Sequence, residues 1–420
     1  MKIAIIGAGF TGLAAAYILS KNGHKTVIFE AENTAGGLAA TFRLPGWQWA
    51  LEKHYHHWFT NDHFVFNLIK ELGLAKRLRY PKTNTSIYYH GKTYPFNSAL
   101  DVLSFSPLTY PERLRTGLVT AFLKFLPRNL ALGLEKKTAY EWLKKWYGEK
   151  TFTIVWQPLL SGKFSQYEKK VNMAWFWARI KKRTPRLGYL EGGYQILIDA
   201  LVEKIKKNGG TLLFKRQFIP GRDMAQFDKI IVTAPTKVFT TMFPALPSTY
   251  KDTLNAIPHL SALNLLLITP EKFLNSTYWL NVNDRNFPFI GVIQQTNMMD
   301  AKYYGGKHIT WVANYLPENH PYLKMTKEEL FNIYKPYLHK INPSFNLQLT
   351  THNLQLFSGP AAQPVFPTNY SKIKPTFLTP LTNVYLANMD MVYPWDRGTN
   401  YAIELGEKIA EIVHRSSTRD

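Results

Sequence analysis

KIAIIGAGFTGLAAAYILSKNGHKTVIFEAENTAGGL, residues 2–38, decides the fold. KIAIIG is a short apolar, β-branched run ending in glycine, the pattern of a buried parallel strand. GAGFTG supplies G-x-G-x-x-G at Gly7, Gly9 and Gly12. The first glycine permits a tight turn. The second keeps side chains out of the path of a pyrophosphate, and the third lets a helix pack on the strand. LAAAYILSKNG reads as that helix, with Lys21 in its last turn and Gly23 as its C′ residue. The backbone around Ala8, Phe10 and Thr11 then aims its amides at the phosphates. KTVIFE is a second strand, ending at Glu30, 18 residues after Gly12. A carboxylate there accepts both hydroxyls of an adenosine ribose and repels a 2′-phosphate, so NAD and FAD fit and NADP does not. A second glycine turn, Gly36-Gly37 followed by Leu38, favours an extended two-nucleotide cofactor held from both sides.

The far end of the chain offers a matching piece. NVYLAN is a strand, and GTNYAIELGEKIAEIV reads as a helix with apolar Ile403, Leu405, Ile409, Ile412 and Val413. The start of that helix aims free amides at an anionic or carbonyl-rich group. Between the two ends, GGYQILIDALVEKIKKNGGTLLFKRQ (192–217) reads as helix, glycine turn and strand, and DKIIVTAP (228–235) as a further strand.

These motifs together resemble the FAD-dependent amine oxidase superfamily, which includes protoporphyrinogen oxidases and phytoene desaturases. The shared features are G-x-G-x-x-G-L-x-A-A, the acid, the Gly-Gly pair and a closing helix entered through Gly398, Ala402, Ile403 and Gly406. PLLSGKFS (158–165) also resembles a segment of the desaturase and porphyrinogen oxidase branches. The resemblance implies non-covalent FAD, its ribityl chain and pyrimidine edge held by Gly398, Asn400, Tyr401 and Ala402 with either Asp390 or Asp396. It also implies that Phe218 and Ala234, on the middle segments, lie at the cofactor. The implied fold is α/β: a discontinuous Rossmann-like FAD-binding domain of residues 1–78, 188–236 and 381–420. An α+β domain of residues 79–187 and 237–380 is inserted into it for substrate.

Composition bounds the rest. At 420 residues, two domains are expected. The chain has no cysteine, which excludes disulfides, thiolate metal sites and a thioether link to a cofactor. A net charge of +22 points to an anionic partner or simply to a basic soluble surface. The charge is spread along the chain with no nucleic-acid module, so no nucleic acid is expected. No segment reads as a signal peptide or as the roughly 18 apolar residues that span a bilayer. The expected location is cytoplasmic, with peripheral attachment to the inner membrane face as its extension.

That extension rests on residues 108–134, where Leu114, Leu118, Phe122, Phe125 and Leu126 share a helical face. Such a helix lies in a membrane interface or packs against its own domain. ARIKKRTPR (178–186) is dense in basic residues and meets lipid phosphates, a substrate diphosphate or solvent. EKHYHHWF (52–59) read as a strand puts His54 and His56 on one face. Two imidazoles without a third ligand do not make a metal site, and none is expected. The resemblance makes His54 and His56 catalytic candidates beside the flavin. The expected reaction is hydride transfer from an apolar isoprenoid, porphyrinogen or lipid-linked substrate to flavin N5, with the electron acceptor open. Rival readings are a non-redox mutase of the UDP-galactopyranose type and a non-catalytic, membrane-associated FAD-holding protein.

Overall fold

The computed structural model describes residues 1–416. β1 (Lys2–Ile6), α1 (Phe10–Lys21) and β2 (Lys25–Phe29) form the parallel unit expected from residues 2–38. The chain then leaves this unit through β3 (Thr85–Tyr89), β4 (Lys92–Pro95), α2 (Ala99–Ser104) and α3 (Tyr110–Phe125). Helices α4 (Gln157–Phe164) and α5 (Met173–Lys182) follow. It returns through α6 (Tyr194–Lys207), β5 (Thr211–Leu213) and β6 (Lys229–Val232). A second excursion carries β7 (His259–Thr269), β8 (Trp279–Val282), β9 (Gly291–Gln294), β10 (His308–Leu316) and β11 (Leu354–Pro364). β12 (Val384–Leu386) and α7 (Thr399–Ser416) close the chain.

Two sheets organise the molecule. The first is wholly parallel in the order β5-β2-β1-β6-β12, so strands far apart in sequence lie side by side. The second runs β11-β7-β10-β9-β8-β3-β4 and is antiparallel except where β3 meets β8. The fold is thus mixed α/β.

Close backbone approach fixes the first sheet against its helices. A Cβ on Gly12 would stand 2.0 Å from the Gly7 carbonyl oxygen, and one on Gly406 would stand 2.5 Å from the Thr11 carbonyl oxygen. Glycine at these two positions lets α1 lie on β1 and α7 lie on α1. Leu13, Ala14, Ala15, Ala16 and Leu19 are buried as a result, which is why α1 is apolar nearly all round. In the second sheet, Leu263, Leu265 and Leu267 of β7 pack under the helix Lys327–Ile341, against Leu330, Phe331 and Tyr334.

Two expectations need correction. Residues 54–57 are not strand: short strands Leu51–Glu52 and Trp58–Phe59 flank an irregular turn, so alternation does not set the histidine directions. Residues 108–134 do not make one helix. A Thr109–Glu112 capping box starts α3, and Leu126-Pro127 ends it before a short helix, Arg128–Leu132. The packing of α3 is inverted. Its buried residues are Thr116 and Leu123, while Leu118 is 72% and Phe125 80% exposed.

Candidate functional site

A cavity of about 2140 Å³ is lined by both sheets and by the helices of the first excursion. Gly7, Gly9, Phe10, Thr11 and Glu30 line it from the first βαβ unit, with Gly36, Gly37 and Leu38 from the next turn. Phe218, Ala234, Asp390, Asp396, Gly398, Asn400, Tyr401 and Ala402 also line it, as do His54 and His56. Ala8 and Gly12 stand behind this wall. The Ala8 N–H donates to Glu30 Oε2 at 2.7 Å and orients that carboxylate, and Gly12 serves the packing described above.

The turn geometry leaves a cradle. Gly36 has φ +121°, a conformation that favours glycine, and it forms a bridge with Gly9. A Cβ on Gly9 would meet only the Gly37 Cα, at 4.0 Å, and one on Gly398 would meet nothing within 4 Å. Protein packing therefore does not require glycine at either position. Both keep bare backbone at the cavity wall, at the starts of α1 and α7, where helix amides are free. A dinucleotide pyrophosphate fits this arrangement.

The histidines are held by neighbours rather than by a strand. Asn264 Nδ2 and His54 Nδ1 are 2.6 Å apart, His56 Nδ1 lies 2.6 Å from the His54 carbonyl, and His57 Nδ1 lies 3.1 Å from the Tyr278 hydroxyl. Burial pushes His54 down to about 3, His56 to about 4 and His57 to about 3. All three are neutral at pH 7. The Trp58 indole N–H donates to Thr399 Oγ1 at 2.7 Å and ties this turn to the start of α7.

Asp390 and Asp396 have different partners. His259 Nε2 lies 2.6 Å from Asp390 Oδ1, and the Thr236 hydroxyl donates to Oδ2 of the same residue. Asp396 Oδ2 accepts from Lys163 Nζ at 2.8 Å and Arg179 Nη1 at 3.1 Å. Burial alone would raise the Asp396 carboxyl, but Lys163, Arg179 and Arg397 hold it well below the usual carboxylate range. Burial, opposed by Asp396 and reinforced by Arg397 and Arg179, pushes Lys163 down to about 7.

Sequence reasoning missed several of these groups. Lys163 sits inside PLLSGKFS and Arg179 inside the basic stretch, but nothing local joined them to Asp396, more than 200 residues away. Arg397 stands between Asp396 and Gly398, and no motif marks it. It donates to Gln363 Oε1 and to the Tyr315 hydroxyl, bringing two strands of the second sheet to the start of α7. A π-helical turn, Phe152–Trp156, precedes α4 and has no simple periodic signature.

The model of the family described as flavin containing amine oxidoreductase matches residues 10–414. A 15-cis-phytoene desaturase of Glycine max is 23% identical over 72% of this chain, and the match spans 60% of that relative's length. Protoporphyrinogen oxidase 2 of Arabidopsis thaliana is 21% identical over 50% of this chain and is matched over 40% of its length. The solved structure of reduced UDP-galactopyranose mutase superposes with a TM-score of 0.74 at 16% identity, covering 98% of this chain and 95% of that one. With its glycine turns, Glu30 and closing helix in one cavity wall, the chain belongs to the flavin-containing amine oxidoreductases, and its cofactor is FAD.

Proposed function

We propose that the chain oxidises an apolar, lipid-like substrate, removing hydrogen to leave a C=C or C=N bond, and that it takes this substrate from an anionic membrane surface. The observation that carries the reading is the inverted helix α3. Its large apolar residues face outward, while Thr116, Gly117, Thr120 and Ala121 of the same helix line the cavity. Apolar surface at the rim thus continues into a cavity wall that includes Phe96, Val102, Val155, Leu159 and Ile290. Contiguous exposed apolar side chains of this kind mark interaction sites.

In this reading Glu30 holds the adenosine ribose, Gly9 and the Gly36-Gly37 turn receive the pyrophosphate, and Gly398 and Asn400 meet the distal part of the cofactor. When bound, FAD would supply the two-electron acceptor for a hydride from substrate carbon, and the accompanying proton would pass to solvent at the cavity mouth. The protein's part is orientation and exclusion of water. Neutral His54, His56 and His57 avoid presenting charge to an apolar substrate. As bases they are weak, because their pKa values lie well below neutral pH.

The membrane contact has two components. Leu118, Phe122 and Phe125 offer apolar surface, and Lys181 donates to the Lys124 carbonyl at 2.9 Å, which places the basic end of α5 beside the end of α3. No helix among the described residues is long and apolar enough to cross a membrane, so the proposed contact is interfacial. The test is anaerobic mixing of the holoprotein with phytoene carried in phosphatidylglycerol or phosphatidylcholine vesicles. Bleaching of the flavin, faster with the anionic lipid, supports the reading. A second reading, rearrangement without net oxidation, is favoured by the cations around Asp396. Turnover only after prior reduction of the flavin would replace the first reading with the second.

A further inference from the structure

The cavity carries charge that its own residues do not balance. Lys163 and Arg179 share one carboxylate oxygen of Asp396. Arg183 stands at the end of α5 on the cavity lining, exposed to solvent and within electrostatic reach of Arg179 and Asp396, and Arg397 follows Asp396 in the chain. All five residues line the cavity. Three guanidinium groups and Lys163, which burial pushes down to about 7, therefore gather about one carboxylate, and only Lys163 and Arg179 contact it. Lys163 is 8% exposed and Arg179 16%, so water screens neither side chain fully. Charges in such places are ordinarily paired.

The neighbouring groups do not supply the missing negative charge. His54 and His57 are neutral. Arg397 is satisfied by the neutral oxygens of Gln363 and Tyr315. Burial keeps the Tyr55 phenol protonated, and its hydroxyl lies 3.1 Å from that of Tyr315. Asp62 is engaged with Lys182 at 3.8 Å. Asp396 and Arg397 directly precede Gly398, but the helices that carry the other cations stand apart from Gly9 and the Gly36-Gly37 turn. Lys163 and Arg179 belong to helices that pack on β10 and on α3, whereas the glycine turns belong to the first βαβ unit.

We propose that Lys163, Arg179, Arg183 and Arg397 form an oxyanion site for the substrate, taking a phosphate or diphosphate, with the apolar remainder of the molecule directed toward α3. Guanidinium groups match such oxyanions with paired N–H donors, and a lysine adds a point charge. The substrate class is then an amphiphile with an anionic head and an apolar chain. This inference rests on the reading that the cavity receives substrate beside FAD.

The test uses the FAD-loaded protein, with binding read from perturbation of the flavin absorbance. Three probes are titrated: inorganic pyrophosphate, farnesyl diphosphate and farnesol. Both phosphorylated probes should bind, and Arg183→Gln should weaken both about tenfold or more. Asp396→Asn should strengthen them, because it removes the one competing carboxylate. A purely structural cluster gives no such opposite pair of effects. Arg179→Lys, which keeps the charge, should recover most of the affinity lost in Arg179→Gln. Flavin content and near-ultraviolet circular dichroism report on folding in every variant. Farnesyl diphosphate binding more tightly than pyrophosphate identifies an amphiphile, and equal binding identifies a free phosphate compound as the source of the anion. Failure of both probes at millimolar concentration, or equal binding to Arg183→Gln, overturns the proposal. If farnesol alone binds, the apolar-substrate reading survives and the oxyanion site does not. Protein that takes up no added FAD yet binds pyrophosphate through Arg183 by calorimetry would break the reading beneath the proposal and leave the site standing.

Discussion

Helices α1 and α3 obey opposite rules. α1 is apolar nearly all round and buried nearly all round, pinned between β1 and α7 by glycines that let backbones touch. α3 is amphipathic, yet it turns its apolar face outward and keeps Thr116 and Leu123 inside. Thr116 Oγ1 donates to the Glu112 carbonyl at 2.7 Å, and the Thr120 and Tyr147 hydroxyls are 3.0 Å apart, so its small polar residues are satisfied within the protein. Amphipathicity states that a helix has two environments. It does not state which one is the protein interior. In α1 the motif chemistry removes that ambiguity, and in α3 only tertiary structure does.

The strongest way to break the contrast is at the glycine contact. Gly12→Val places side-chain atoms where the Gly7 carbonyl already stands. It should cost about 3 kcal/mol or more and abolish flavin retention, measured by denaturant unfolding and flavin content. Gly9→Ala, at the open cradle, should leave stability nearly unchanged and still weaken FAD, because its Cβ has room in the protein but occupies the cofactor's approach.

Next comes a buried carboxylate, Glu52, at the start of EKHYHHWF. Glu52 accepts from the Tyr189 hydroxyl and from the Tyr194 N–H at 2.8 Å, and burial raises it from 4.5 to about 7. A carboxyl whose pKa is higher in the folded protein binds its proton more tightly there. Stability therefore falls as pH rises from about 4.5 to about 7, by a total of about 3 kcal/mol. Glu52→Gln should flatten that slope. An unchanged slope would mean that folding leaves the Glu52 carboxyl unshifted.

On α3 the contrast sharpens within one helix. Leu118→Ser, Phe122→Ser and Phe125→Ser should each change stability by no more than about 0.5 kcal/mol. Together they should abolish flotation with phosphatidylglycerol vesicles. Leu123→Ser should cost about 3 kcal/mol, because that side chain is buried. If the triple variant unfolds, or floats as well as the parent, the outward face is not a lipid contact. The smallest effect is expected from salt. Raising ionic strength should weaken flotation of the parent protein by screening the basic end of α5.

These comparisons show what was legible in the sequence. Strands Lys2–Ile6, Lys25–Phe29 and Lys229–Val232 follow from short apolar runs, and the closing helix follows from its helical apolar periodicity. Glu30 and the Gly36-Gly37 pair, picked out by their spacing from the first glycine motif, line the cavity. The cluster around Asp396 was not legible. Lys163, Arg179 and Asp396 come from three elements, and only the packing of α4 and α5 against the loop before α7 brings them together. The direction of α3 was equally hidden, because its periodicity is the same whichever way it faces. The turn at His54–His57 is irregular chain, in which period-two spacing of like residues occurs without a strand.

The account stands on a resident flavin, and one spectrum tests it most directly. The purified protein should show flavin absorbance, and the same bands should move to the supernatant after heat denaturation, since a chain without cysteine has no thiol to form a thioether bond to the cofactor. A colourless protein that also fails to take up added FAD would contradict the account and leave the glycine cradle to another dinucleotide.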